Sequence, residues 1–159
     1  MERKSLAVLA RATQIVKERW TTGHFATIGY TKDSKDIQGS FCAIGAVRQA
    51  AHEIYQVDNW KDIYGFIGEV VDVLSQKVPE QAMRDLMAAG LLQTKADPHT
   101  RIIAFNDLKA THADVEALFC AAVKEELDKR LEASDGNEQG SAEGVGEGSE
   151  VGGGQDEVD

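Results

Sequence analysis

Apolar residues recur three and four positions apart along most of this chain, and that spacing restricts the fold more than any other feature. One face of an α-helix repeats with this period. Such stripes cover residues 5–20, 41–55, 60–76 and 79–90, and a further one begins at residue 111. The sequence therefore predicts a mainly α-helical single domain of about five helices.

Two stripes carry additional information. The stripe at 41–55 begins with small side chains, among them Cys42, Ala43 and Ala46, which allow close approach of a neighbouring backbone. We therefore expect a central helix there. The last stripe is predicted to be the buried face of its helix and contains Val115, Leu118, Phe119, Ala122, Val123, Leu127 and Leu131.

Irregular segments separate the stripes. Residues 24–39 contain two glycines around a polar run, which predicts a short loop or hairpin insertion after the first helix. The apolar run Arg101–Phe105 follows the turn sequence Asp97-Pro98 and is predicted to be a small strand or an extended entry to the core. Thr111 and Asp114 have the spacing of a capping box at the start of the last helix.

The C-terminal end has a different composition. Residues 134–159 hold eight of the fifteen glycines, no aromatic residue and no Lys or Arg. Such a segment cannot bury enough apolar surface to offset its ordering entropy. We expect a globular domain at 1–133 and a disordered acidic tail at 134–159. The acids of the tail are Asp135, Glu138, Glu143, Glu147, Glu150, Asp156, Glu157 and Asp159.

Charge and cysteine content exclude several classes of function. The net charge is −10, but outside the tail 19 acidic residues face 17 basic ones, so no basic footprint for nucleic acid is expected. Two cysteines 78 positions apart provide neither a disulfide framework nor a paired-thiol zinc motif. No His or Cys pair has ligand spacing, so no metal or cofactor is predicted. No apolar run approaches membrane-spanning length, and the expected location is the cytoplasm.

Cys42 is the first candidate for a catalytic residue, because it falls in the first turn of a predicted helix. Exposed N–H groups and the helix dipole favour a thiolate there, as a nucleophilic cysteine requires. The alternative is that Cys42 fills a small space in the core, the more common role of a free cysteine.

The sequence also offers partners for such a nucleophile. His24 and His112 are the candidate bases, and Asn106 or Asp107 the candidate group that orients the imidazole, as in a Cys-His-Asn arrangement. The competing interpretation is structural, because an Asn-Asp pair ahead of a helix commonly forms caps and turns, and histidines are often solvated.

Several short motifs resemble the DUF6197 family, small proteins of actinobacteria and their bacteriophages. The resemblance covers about residues 5–123 and rests on Trp20 with Gly23, on the run from Phe41 to Val47, on Ala104–Asp107, and on Thr111 with Val115–Phe119. It implies an accessory protein of phage or actinobacterial type, in the host cytoplasm if phage-encoded. Because the family has no assigned function, the resemblance transfers no catalytic role to any residue.

Three functional hypotheses follow. The leading one is a non-enzymatic protein-binding module, because catalytic signatures are missing. The second is a cysteine-dependent hydrolase or transferase with Cys42 as nucleophile. The third is that the acidic tail mimics nucleic acid or competes for basic partners. The sequence indicates a protein partner, no nucleic acid and no membrane, and leaves the oligomeric state open.

Overall fold

The computed structural model describes residues 1–23, 40–56 and 60–138, and this part of the chain contains six helices. None of these helices is long and apolar enough to cross a membrane. The mainly helical fold predicted from the sequence is confirmed. The helices are α1 (Arg3–Arg19), α2 (Ala43–Tyr55), α3 (Trp60–Lys77), α4 (Glu80–Ala88), α5 (Pro98–Leu108) and α6 (His112–Glu138).

The main core is formed by α1, α2, α3, α5 and α6. The small residues at the start of α2, such as Ala43, Ala46 and Ala50, are buried, so α2 is central as its composition predicts. The larger fully buried side chains of this core are Leu9, Ile15, Ile44, Ile67, Leu74, Ile102 and Phe119. Leu86 of α4 packs separately with Leu92 and Ala104, so α4 sits at the edge of the domain.

The strand predicted at Arg101–Phe105 is wrong, because these residues lie inside α5. Asp97 caps this helix by accepting a 3.0 Å hydrogen bond from the backbone N–H of Thr100, and Pro98 is its first residue. Proline at that position loses no helical hydrogen bond. The other predicted irregular segment, the loop or hairpin at 24–39, lies outside the described residues.

The last helix begins as predicted and extends further than expected. Asp114 Oδ2 accepts from the Thr111 backbone N–H at 2.8 Å, and Thr111 Oγ1 accepts from the Asp114 backbone N–H at 3.3 Å. These reciprocal bonds form the capping box. The helix continues through Glu138, beyond the domain boundary expected at 133, and residues 139–159 lie outside the described part.

The C-terminal half of α6 departs from the predicted burial. Leu127 is 47 % exposed and Leu131 is 64 % exposed, although the apolar stripe predicts both as buried. The first half follows the prediction, with Val115, Leu118 and Phe119 buried. The stripe therefore continues along the helix past the region that the core covers.

Ion pairs fix this half of α6 against the N-terminus. Glu126 is buried, and its carboxylate lies 3.4 Å from the α-amino group of Met1 and 2.8 Å from Lys129 Nζ. Arg130 donates a 2.8 Å hydrogen bond to the carbonyl of Met1. Near the other end of α1, Lys17 lies 3.6 Å from Glu116, so α1 and α6 run antiparallel.

We expect Glu126→Gln to destabilise the protein by about 1–3 kcal/mol at neutral pH, because it removes charge-assisted hydrogen bonds from a buried site. The hydrogen bond from Lys129 is the largest influence holding the pKa of Glu126 below its ordinary value of 4.5. A carboxylate whose pKa is lowered by folding stabilises the fold at pH values above its ordinary pKa. This stabilisation is lost as the pH falls through the pKa that the group has in the folded protein.

The free energy of unfolding of Glu126→Gln should therefore approach that of the wild type as the solution is acidified below pH 4.5. Urea titrations at several pH values measure the difference. Glu132→Gln, at an exposed position on the same helix, is the control and should change little. A difference between Glu126→Gln and the wild type that does not vary with pH would contradict this explanation.

Candidate functional site

Four of the five predicted site residues lie where the C-terminal ends of α1 and α5 meet the starts of α2 and α6. Asn106 and Asp107 are in the last turn of α5, Cys42 is the N-cap of α2, and His112 is the first residue of α6. The fifth, His24, lies outside the described residues. We call the hydrogen-bonded group of Trp20, Thr21, Ala43, Asn106 and Asp107 the Asn106 junction.

The Asn106 side chain is 1 % exposed, and its amide is saturated with hydrogen bonds. Its Oδ1 accepts from the Trp20 indole Nε1 at 2.8 Å and from the Ala43 backbone N–H at 3.0 Å. Its Nδ2 donates to Asp107 Oδ1 at 2.6 Å and to the Thr21 carbonyl at 3.4 Å. Because indole and backbone N–H groups only donate, the amide has one favourable orientation.

The junction also holds the chain on both sides of residues 24–39. Asp107 Oδ1 accepts from the backbone N–H of Gly23 at 3.0 Å. The backbones of Trp20 and Phe41 form an isolated parallel bridge, in which Thr21 donates to the Phe41 carbonyl and Phe41 donates to the Arg19 carbonyl. The residues that enter and leave this segment are therefore fixed to each other and to the end of α5.

His112 belongs to the same region but contacts Trp20. The two rings are stacked, with centroids 5.4 Å apart and planes within 5°. His112 Nε2 lies 2.7 Å from the carbonyl of Val16. Since a carbonyl only accepts, Nε2 must carry the proton in this hydrogen bond. His112 thus fixes the first turn of α6 to the last part of α1.

Cys42 is in a poor environment for a nucleophile. It is 5 % exposed, and its Sγ accepts from the backbone N–H of Gly45 at 3.4 Å. Burial raises the pKa of the Cys42 thiol, although the Gly45 hydrogen bond acts in the opposite direction. The negative charge of Asp107 raises this pKa further. A nucleophilic cysteine needs a lowered pKa and access to solvent.

The structure therefore brings Asn106 and Asp107 close to the start of α2. The amide of Asn106 orients the Trp20 indole and the backbone of Ala43, whereas the sequence predicted that it could orient a catalytic imidazole. These bonds use both acceptor and both donor positions of the amide. Within residues 1–23, 40–56 and 60–138, no group of three His, Cys, Asp or Glu side chains could hold a metal ion.

A second surface, which the sequence interpretation missed, lies between α1 and α6. It is an open cleft of about 470 Å³, and we call it the α1–α6 groove. The exposed leucines of α6 line it, and the signal in the sequence was the continuation of the apolar stripe to Leu131. The lining residues are Ala10, Thr13, Lys17, Cys120, Val123, Lys124, Leu127, Asp128 and Leu131.

Comparison with known proteins gives a family but no characterised relative. The family model of DUF6197, a family of unknown function, matches residues 1–125. Neither the curated proteins nor the solved structures contain a significant match to the chain. The matched range includes every residue of the Asn106 junction, together with the part of the α1–α6 groove that precedes residue 126.

We expect Asn106→Ala to lower the free energy of unfolding by about 2–4 kcal/mol, because it leaves the donors of Trp20 and Ala43 without their acceptor. Urea denaturation followed by circular dichroism measures this loss. Asn106→Asp keeps the acceptor oxygens but places a second carboxylate against Asp107. The stability of Asn106→Asp relative to the wild type should therefore improve as the solution is acidified. If Asn106→Ala is as stable as the wild type, the amide has no central role in the fold.

We expect Cys42 to react with an alkylating reagent only when the protein unfolds, since its thiol is buried and its pKa is raised. The rate is measured against pH in a Cys120→Ser background, because Cys120 is exposed. Rapid labelling of the folded protein, with an apparent pKa below the ordinary thiol value, would contradict this interpretation and support a nucleophilic Cys42.

Proposed function

This chain belongs to the DUF6197 family, and we propose that it is a non-enzymatic protein-binding module that uses the α1–α6 groove. The observation that carries the proposal is the pair of exposed leucines in a groove between two antiparallel helices. Fully burying a leucine that was exposed to water contributes about 1.5–3 kcal/mol. Leu127 and Leu131 retain part of that free energy for a partner.

The shape of the groove favours a helix as the bound element. Its α1 side contributes Ala10, Thr13 and Lys17, which are separated by three and four residues, and its α6 side has the same period. A helix of the partner lying between them would complete a three-helix arrangement with ordinary ridge-and-groove packing. Apolar residues at similar spacing are therefore expected on the partner.

The charges along the groove add a requirement for orientation. Lys17 is already paired with Glu116 of α6, but Lys124 also lines the groove, and Asp128 lies one turn of α6 further along. An amphipathic helix with an acidic residue near Lys124 and a basic residue near Asp128 complements this pattern. Such pairs contribute more to orientation than to affinity.

The Asn106 junction supports this proposal over catalysis by Cys42. The amide of Asn106 is fully used within the fold, and Nε2 of His112 is engaged by the carbonyl of Val16. The cysteine-dependent hydrolase or transferase remains the alternative that the alkylation experiment tests. We further propose a cytoplasmic accessory role of phage or actinobacterial type, which the sequence resemblance implies.

Selection from a displayed library of amphipathic helical peptides tests the binding function without a known partner. We expect wild-type protein to enrich peptides with apolar residues three and four apart, measured afterwards as dissociation constants by fluorescence anisotropy. Leu127→Glu should weaken their binding about tenfold or more, because it places a charge in the apolar centre of the groove.

Leu91→Glu is the matched control, because Leu91 is 57 % exposed and does not line the groove. It should leave the dissociation constants unchanged. Failure to enrich any peptide, or equal binding to wild type and Leu127→Glu, would overturn the proposal.

A further inference from the structure

The α1–α6 groove is lined by bulky side chains at one end and by small side chains at the other. Leu127 and Leu131 are exposed on α6, whereas Ala10, Thr13 and Cys120 line the groove toward its other end. The hydroxyl of Thr13 already donates to the Leu9 carbonyl at 2.8 Å, so an apolar group can cover it without leaving a donor unpaired. Such a surface can fit a rotated copy of itself.

We infer that this groove binds the same groove of a second copy of this chain, with the two α6 helices antiparallel across a two-fold axis near residue 126. The inference rests on the proposed function, because it names one protein that fills the proposed binding face. A two-fold interface brings the same patch of both copies together, so the patch must be self-complementary.

The helical rise shows that the two halves match under this rotation. Leu131 lies about 16 Å from Cys120 along the axis of α6, at about 1.5 Å per residue. With the axis near residue 126, Leu131 of each copy reaches the level of Cys120 and Thr13 of the other. Leu127 of each copy then lies close to Ala10 and Val123 of the other.

The same rotation pairs opposite charges. Lys124 and Asp128 both line the groove, at equal distances on either side of residue 126. An antiparallel arrangement places Lys124 of each copy beside Asp128 of the other, so the interface contains two such pairs. A parallel arrangement would place each charge beside its own equivalent, so the charges select the antiparallel orientation.

The position of the acidic segment gives independent support. Of the eight acids after residue 133, Asp135 and Glu138 lie in the last turns of α6 and the other six follow it in the sequence. In the antiparallel pair, the two C-terminal ends of α6 are about 36 Å apart along the axis, several times the Debye length at physiological salt. Parallel helices would bring both acidic segments together.

Disulfide trapping tests the register. In the variant Leu131→Cys, the introduced thiol and Cys120 of the same chain are about 16 Å apart, well beyond the reach of a disulfide. We therefore expect mild oxidation to produce a covalent dimer, in which the thiol introduced at position 131 of one copy is bonded to Cys120 of the other. Non-reducing electrophoresis and mass spectrometry of the linked peptides measure it.

Two control proteins separate this register from others. Leu131→Cys combined with Cys120→Ser should stay free of covalent dimer, because the two introduced thiols lie about 15 Å apart in the antiparallel pair. Leu91→Cys gives the background rate for an exposed thiol outside the groove. Equal cross-linking of Leu131→Cys with either control, or none at all, would overturn the proposed pairing.

Sedimentation equilibrium of the full chain tests the contacts without oxidation. We expect the wild type to dimerise, Lys124→Asp to weaken the dimer about tenfold, and the exchange Lys124→Asp with Asp128→Lys to restore it. Leu127→Glu should be monomeric, with an unchanged circular dichroism spectrum because the residue is exposed. A monomeric wild type, or a charge exchange that fails to restore the dimer, would overturn the inference.

These results are distinguishable from those of the binding function. A monomeric wild type whose groove still binds the selected peptides overturns the self-pairing and leaves the binding function. A wild type that dimerises in the expected register but enriches no peptide supports the self-pairing and overturns the wider binding function.

Discussion

The buried amide of Asn106 holds the C-terminal ends of α1 and α5 against the start of α2. Its oxygen is shared by the indole that follows α1 and by the first residue of α2, while its nitrogen bonds to the backbone of Thr21. Trp20 in turn stacks on His112, which begins α6. The amide therefore contacts the ends of three helices directly, and through Trp20 it also places the start of α6 beside the end of α1. This contact lies at the opposite end of α6 from Leu127 and Leu131, the exposed leucines of the α1–α6 groove.

Much of the fold could be predicted from the sequence, because most helices carry an apolar stripe on one side. The capping box at Thr111 and the small residues of α2 were equally informative. The exception was α5. Its buried residues Ile102, Ala104 and Phe105 belong to a continuous apolar run, so the sequence shows no stripe with a helical period. Its N-terminal signal, Asp97 followed by proline, resembled an ordinary turn because both structures use the same residues.

The candidate site was only partly predictable. Sequence patterns identified Asn106, Asp107, Cys42 and His112 as unusual, but they could not show that the amide would bond to Trp20, 86 positions away. Periodicity likewise indicated that Leu127 and Leu131 lie on the apolar side of α6, yet it could not show that the core ends before it reaches them. The period of a stripe reports which side chains share a face of a helix and not how far the neighbouring helices extend along that face.

The bridge between Trp20 and Phe41 has a consequence for how this chain can vary. Because the hydrogen bonds of Arg19, Thr21 and Gly23 hold the two ends of the 24–39 segment in place, its length is not set by the helices it joins. Substitutions at positions 24–39 therefore leave intact every group that forms these hydrogen bonds, because all of them belong to residues before position 24 or after position 39.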